Sequence, residues 1–230
     1  MNSLEHILLG HPVWRGGGLA GASLPAVPTG FAELDRELPG GGWPVGGLVE
    51  ILCAGEGIGE LQLLLPALAA LAAAGRRIAW IAPPHLPYAP ALAAAGIDLQ
   101  QLVVVQASGR RDALWAMEQV LRAGACHAAL VWLRGVRYAE LRRLALAAGG
   151  HSTLALLFRP AQDASETSPA CLRLALEPAA GKLAATILKR RGAPAVAALG
   201  IPVRRPVHAV GGATSPAPAA RSPVARPCVA

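Results

Sequence analysis

The 230-residue sequence contains no Cys-x-x-Cys pair, no apolar run long enough to cross a bilayer and no acidic residue after position 188. The four cysteines, Cys53, Cys126, Cys171 and Cys228, are scattered, which excludes the common zinc and dithiol motifs. Three of them sit in apolar runs and read as core residues of a reducing compartment. The longest apolar stretch, Leu61–Ala74, is interrupted by Pro66 and falls short of the roughly 20 residues a membrane helix needs. Glu5 stands early and no basic segment precedes an apolar one, so no secretory leader is expected. A soluble cytoplasmic protein without a membrane contact follows. Residues 189–230 hold 7 of the 21 Lys/Arg and none of the 14 Asp/Glu. The net charge of +7 therefore belongs to a terminal arm, while residues 1–188 are balanced. Such an arm suits an acidic partner or serves as a solubilising tail.

What is present is an alternation of apolar runs and helical patterns. Residues 1–29 read as an N-terminal arm rich in Gly and Pro, with a short helix around Leu4–Leu8. Thr29 is placed to cap a helix over Phe31–Leu38. Strands are expected over Leu48–Leu52, Arg77–Ala82, Leu102–Gln106, Ala128–Leu133 and Thr153–Phe158. Helices are expected over Glu60–Ala74, Tyr88–Ala95, Arg110–Ala123 and Tyr138–Ala148. The polar loop 161–170 leads to a hairpin, Leu172–Glu177 and Leu183–Lys189, turning at Ala180-Gly181. Strands spaced by helices predict an α/β fold with a mostly parallel sheet and helices on both faces. Unbroken runs such as Leu102-Val103-Val104-Val105 fit strands covered on both sides. From position 193 to 230, Pro, Ala and Arg dominate without periodicity, and a disordered tail is expected.

The junction Glu50–Leu65 is laid out as strand, Gly-rich turn and helix, as in a phosphate-binding P-loop. Such a loop needs a Lys after its last Gly and then a hydroxyl for Mg²⁺. Here Ala54 replaces the first Gly, and Gly59 is followed by Glu60 and Leu61. A carboxylate repels a triphosphate, and Leu61 offers the metal no oxygen. Nucleotide exclusion is expected, with Glu60 also read as an acid at the positive end of the following helix.

Val27-Pro28-Thr29-Gly30-Phe31-x-x-Leu34-Asp35 precedes Gly40-Gly41-Gly42-Trp43-Pro44-x-Gly46-x-Leu48-Val49-Glu50-Ile51. This order resembles the approach to the ATPase core of RecA-type recombinases, and the similarity runs to about Pro160. The resemblance implies a RecA-like domain over 30–192. It also locates two further losses: Pro84 stands where the family's water-activating Glu is found, and Leu133 where its metal-associated acid is found. Losing the Lys, the metal ligand and the base together argues against hydrolysis, because they act as a unit. Among non-catalytic relatives, the stretches Gly57–Leu68 and Leu188-Lys189-Arg190-Arg191-Gly192 resemble the ImuA family of translesion-synthesis accessory proteins. That resemblance implies an SOS-induced, non-enzymatic factor without cofactor or metal. Its implied partners are RecA, the polymerase relative ImuB and the associated error-prone polymerase. A SulA-like division inhibitor, binding the tubulin-like division protein, is the nearest alternative, and a residual ATPase the third.

Candidate contacts to a partner or to DNA phosphates are Arg134, Arg137, Lys189, Arg190, Arg191, Arg204 and Arg205. Arg142 and Arg143 follow the same strand as Arg134 and Arg137, and for these four a solvated helix face is the plain alternative. No aromatic residue is interleaved with the tail's basic groups, so the tail gives no support for base stacking. His85 lies at a strand's C-terminal end, without a neighbouring acid or nucleophile in sequence. Trp14 and Trp43, both in Gly-rich segments, each fit either core packing or an exposed interface anchor.

Overall fold

A computed structural model describes residues 25–191 and 196–202. The chain opens with β1 (Ala26–Val27), α1 (Ala32–Glu37), β2 (Trp43–Pro44), β3 (Gly47–Cys53), α2 (Leu65–Ala73) and β4 (Ile78–Ile81). It continues with α3 (Ala89–Ala94), β5 (Leu102–Val105), α4 (Arg110–Ala123), β6 (Ala128–Trp132), α5 (Tyr138–Ala148) and β7 (Leu154–Pro160). The last elements are β8 (Leu172–Ala179), β9 (Lys182–Lys189) and β10 (Val196–Pro202). Eight strands form one sheet in the order β10-β9-β8-β3-β7-β6-β4-β5. From β8 to β5 all neighbours are parallel; β8/β9 and β9/β10 are antiparallel. The expected mostly parallel α/β architecture is thus observed.

Strand periodicity sorts the apolar side chains into two cores. Ile78, Trp80, Leu130, Leu156, Val49 and Ile51 face α1, α2 and α3. Ala79, Ile81, Val131, Leu157 and Leu48 face α4 and α5. On α4 the buried stripe is Ala113, Met117 and Leu121, the i, i+4, i+8 spacing of one helical face. Trp43 is fully buried, which settles it as core packing. It pairs with Val27 in the small β1/β2 ribbon. Beside it, a Cβ on Gly42 would meet the Val27 carbonyl oxygen at 2.3 Å, so only glycine permits the ribbon to close.

Several expectations are corrected. Thr29 does not cap α1: Phe31 is the residue before the helix, and the Thr29 hydroxyl accepts from the Phe31 N–H at 3.0 Å. The Thr29 N–H in turn donates to Asp35 Oδ1 at 2.9 Å, so Thr29 is a buried turn brace. The helix expected from Glu60 begins only at Leu65. Pro66 lies in its first turn, the position where a missing N–H costs nothing. Residues 60–64 form tight turns instead, closed by Gln62 N–H to Gly59 O and Leu64 N–H to Leu61 O. Glu60 therefore lies outside the helix and is not its N-terminal acid. The segment expected to lack structure contains β10, whose Ile201 is fully buried against the sheet. Leu4–Leu8, Trp14, Arg204, Arg205 and the rest of 203–230 lie outside the described residues. Among those that are described, no helix is long and apolar enough to cross a membrane.

Candidate functional site

At the C-terminal ends of β3, β4, β6 and β7 lies a cleft of about 640 Å³. This is where open α/β sheets bind ligands. The structure brings Ala54, Glu60, Pro84, Leu133 and Arg134 together around it, though they are distant in sequence. The lining residues include no Lys, Ser or Thr, the side chains a triphosphate–Mg²⁺ site would use.

The loop after β3 turns its amides onto a carboxylate of the chain itself. Gly57 and Gly59 have φ of +71° and +104°, a backbone that turns successive N–H groups to one side. Those N–H groups point at Glu60. Its Oε1 accepts from Gly57 N–H at 3.2 Å and its Oε2 from Gly59 N–H at 3.1 Å. The carboxylate thus occupies two of the amides that would cradle a phosphate. Leu61 is half-buried and packs on the α2-side core.

The opposite wall is aromatic. Trp132 and Phe158, register partners on β6 and β7, stack with ring centroids 4.7 Å apart and planes 3° from parallel. Trp80 meets Trp132 edge-on at 5.8 Å. At the rim, Glu56 accepts from Arg134 at 2.8 Å and lies 3.3 Å from His85 Nε2. Both partners are largely exposed, so the pairs contribute little stability. Ala82, also lining the cleft, has φ +48°. It is a strained non-glycine position of the kind that gathers at ligand sites.

Cys53 closes the cleft floor. Burial pushes its thiol up to about 12, with the Glu60 carboxylate adding to the effect. A thiol held protonated in this way is a poor nucleophile. Native protein is expected to leave Cys53 unmodified by iodoacetamide at pH 8 and to label it on unfolding, read by peptide mass. The unfolded thiol titrates near its ordinary value and the folded one higher, so the contribution to stability is complete below about pH 9. It is lost as pH rises toward about 12.

Behind the cleft lies a buried ion network that the sequence reading missed. Glu50 on β3 is fully buried and accepts from Arg173 Nε at 2.8 Å and Ser168 Oγ at 2.7 Å. Arg159 on β7, also inaccessible, lies 3.5 Å from Glu50, 2.9 Å from Asp163 and 2.5 Å from Glu166. The available signal was three charges inside otherwise apolar strands.

The basic candidates separate in the structure. Arg190 is nearly buried and donates to the Glu37 carboxylate at 2.9 Å and to the Glu37 carbonyl, tying the end of β9 to α1. It is a structural residue and not an open contact. Lys189 Nζ donates to Ser168 O at 2.8 Å, whereas Arg191 is exposed. Arg137 is exposed and pairs with Glu140 at 3.4 Å. Partial burial alone would raise the Glu140 carboxyl. The Arg137 N–H, the Arg110 guanidinium and that of Arg137 outweigh it and hold the group below its ordinary value.

A mainly parallel sheet flanked by helices, with a Gly-turned loop and a cleft after its central strand, defines a doubly wound α/β domain. The family model described as cell division inhibitor SulA matches residues 47–155. The cell division inhibitor SulA of Edwardsiella piscicida is 34% identical over 118 residues, covering 51% of this chain and 70% of that protein. The chain belongs to the SulA family. Protein RecA of a Picosynechococcus strain is 31% identical over 125 residues, covering 54% of this chain but only 35% of RecA. The chain thus spans about a third of the length of that recombinase. The crystal structure of SulA from Pseudomonas aeruginosa matches 49% of this chain and 97% of its own at 28% identity, with a TM-score of 0.42.

Proposed function

We propose that this protein is a non-enzymatic, RecA-related factor of the SOS response that acts through protein contacts in translesion synthesis. Its partners in this reading are RecA, ImuB and the associated error-prone polymerase. The observation that carries the non-catalytic part is Glu60, whose carboxylate sits on the Gly57 and Gly59 amides. Pro84 and Leu133 add to it, lining the same cleft where RecA-type enzymes place acids. The ImuA-like stretches around Gly57–Leu68 and Leu188–Gly192 support the mutagenesis role.

A second reading, division inhibition, is favoured by the family match over residues 47–155 and the Edwardsiella relative. A deletion strain separates the two. The first reading expects DNA damage to raise the mutation frequency far less than in wild type while filamentation is kept. Wild-type mutation frequency with loss of damage-induced filamentation would replace it with the second. Calorimetric titration with Mg-ATP is expected to show no micromolar site, and Glu60→Lys alone to leave hydrolysis at background. Turnover above a contaminant control in the unmodified protein would refute the non-enzymatic reading.

A further inference from the structure

The side of the sheet opposite α2 carries a second surface, unrelated to the cleft. The chain from Arg110 to Ala148, which contains α4 and α5, has seven arginines and three acids. Two hollows of about 400 and 300 Å³ follow the α4/α5 groove and meet at Arg143. Glu118, 6% exposed, is shared by Arg122 at 2.7 Å and by Arg143. Glu140, 16% exposed, is shared by Arg110 at 2.7 Å and Arg137 at 3.4 Å. Two carboxylates therefore serve four guanidiniums. Arg111 and Arg142 are exposed and have no ion pair among the described residues. The nearly buried acids orient Arg110, Arg122, Arg137 and Arg143 along the two hollows, and Arg111 lines the larger one without such a partner among the described residues.

Trp115 stands in this groove, 63% exposed. It lies off the Ala113–Met117–Leu121 stripe that α4 buries, so folding gives it no task. Tyr138, at the start of α5, is also exposed.

We propose that the α4/α5 groove binds single-stranded nucleic acid, with Trp115 stacking a base and Arg111 and Arg143, which line the same hollow, taking phosphates. Planar guanidinium forks match phosphate oxygens, and an uncovered indole offers a face to any base. An acidic protein segment would satisfy the arginines but would not call for the indole.

The test is fluorescence anisotropy of a labelled oligothymidylate about twenty nucleotides long. It uses the full chain, both unmodified and with Arg204→Ser and Arg205→Ser to remove charge from the tail. In the second background, Trp115→Ala is expected to weaken binding about tenfold. Arg111→Ser with Arg143→Ser is expected to weaken it further and to flatten the dependence of log affinity on log salt by about one unit. Circular dichroism melts establish that each variant is folded. Absence of oligonucleotide binding at low salt overturns the proposal, as does equal affinity in both groove variants. A polyglutamate peptide that displaces the oligonucleotide and binds Trp115→Ala undiminished also overturns it, in favour of an acidic protein partner.

Discussion

Glu50→Gln is expected to lower the melting temperature by about 10 °C, the largest effect of any single substitution on this chain. Glu50 is inaccessible and receives Arg173 Nε and Ser168 Oγ at 2.8 and 2.7 Å, with Arg159 at 3.5 Å. Removing its charge leaves two buried guanidiniums with Asp163 and Glu166 as the remaining carboxylates around them. Breaking one partner out of a buried pair costs roughly 3–5 kcal/mol, and in a domain of this size each kcal/mol moves the midpoint by about 2–4 °C. A double variant, Glu50→Met with Arg173→Met, is expected to recover part of the loss, because both charges of the closest pair leave together. Thermal melts followed by circular dichroism decide the matter. A Glu50→Gln midpoint within about 2 °C of the parent would show that the network carries little of the stability.

Stopping the chain after Arg191 is expected to cost about 3 kcal/mol or more. That cut removes β10, and with it the fully buried Ile201 and the Leu199 contact with the core. Loss of a buried Ile side chain alone costs about 2–5 kcal/mol. The new edge would be β9, whose inward residues Leu183, Ala185 and Ile187 are all buried. An uncovered edge of this kind invites pairing with other chains. Urea titrations of the shortened chain, of Ile201→Ala and of a chain stopped after Pro202 test this. The first two are expected to lose stability relative to the third. Coincident curves would show that β10 adds nothing.

Most of the sheet was legible because its strands are unbroken apolar runs separated by Gly-terminated helices. Arg110–Ala123 and Tyr138–Ala148 form as expected, the first ending at left-handed Gly124. β10 was hidden for a local reason. Its register shifts between Val196 and Leu199, so the alternation that marks a strand is broken. The late start of α2 reflects Pro66 and the Glu60 side chain, whose choice of loop amides over a helix terminus cannot be read from composition. The ion network was hidden for a topological reason. Glu50 and Arg173 become register partners only when β8 lies beside β3, and sheet order is not written in any local pattern. The Arg190–Glu37 pair is likewise a contact across 153 positions. In the cleft, the sequence pointed to Ala54, Glu60, Pro84 and Leu133, which the fold brings together, but not to the stacked Trp132 and Phe158.

Glu60 also bears on how such a protein is controlled. A phosphate held by a Gly-rich loop arrives, leaves and can be outcompeted, so its loop reports the concentration of a metabolite. An anion attached to the backbone one residue beyond Gly59 is always present and cannot be diluted away. In this structure the loop closes on its own carboxylate. Whatever surface depends on that shape is ready from the moment the chain folds. Under the proposed non-enzymatic role, output would follow the amount of protein present and not the level of a bound nucleotide.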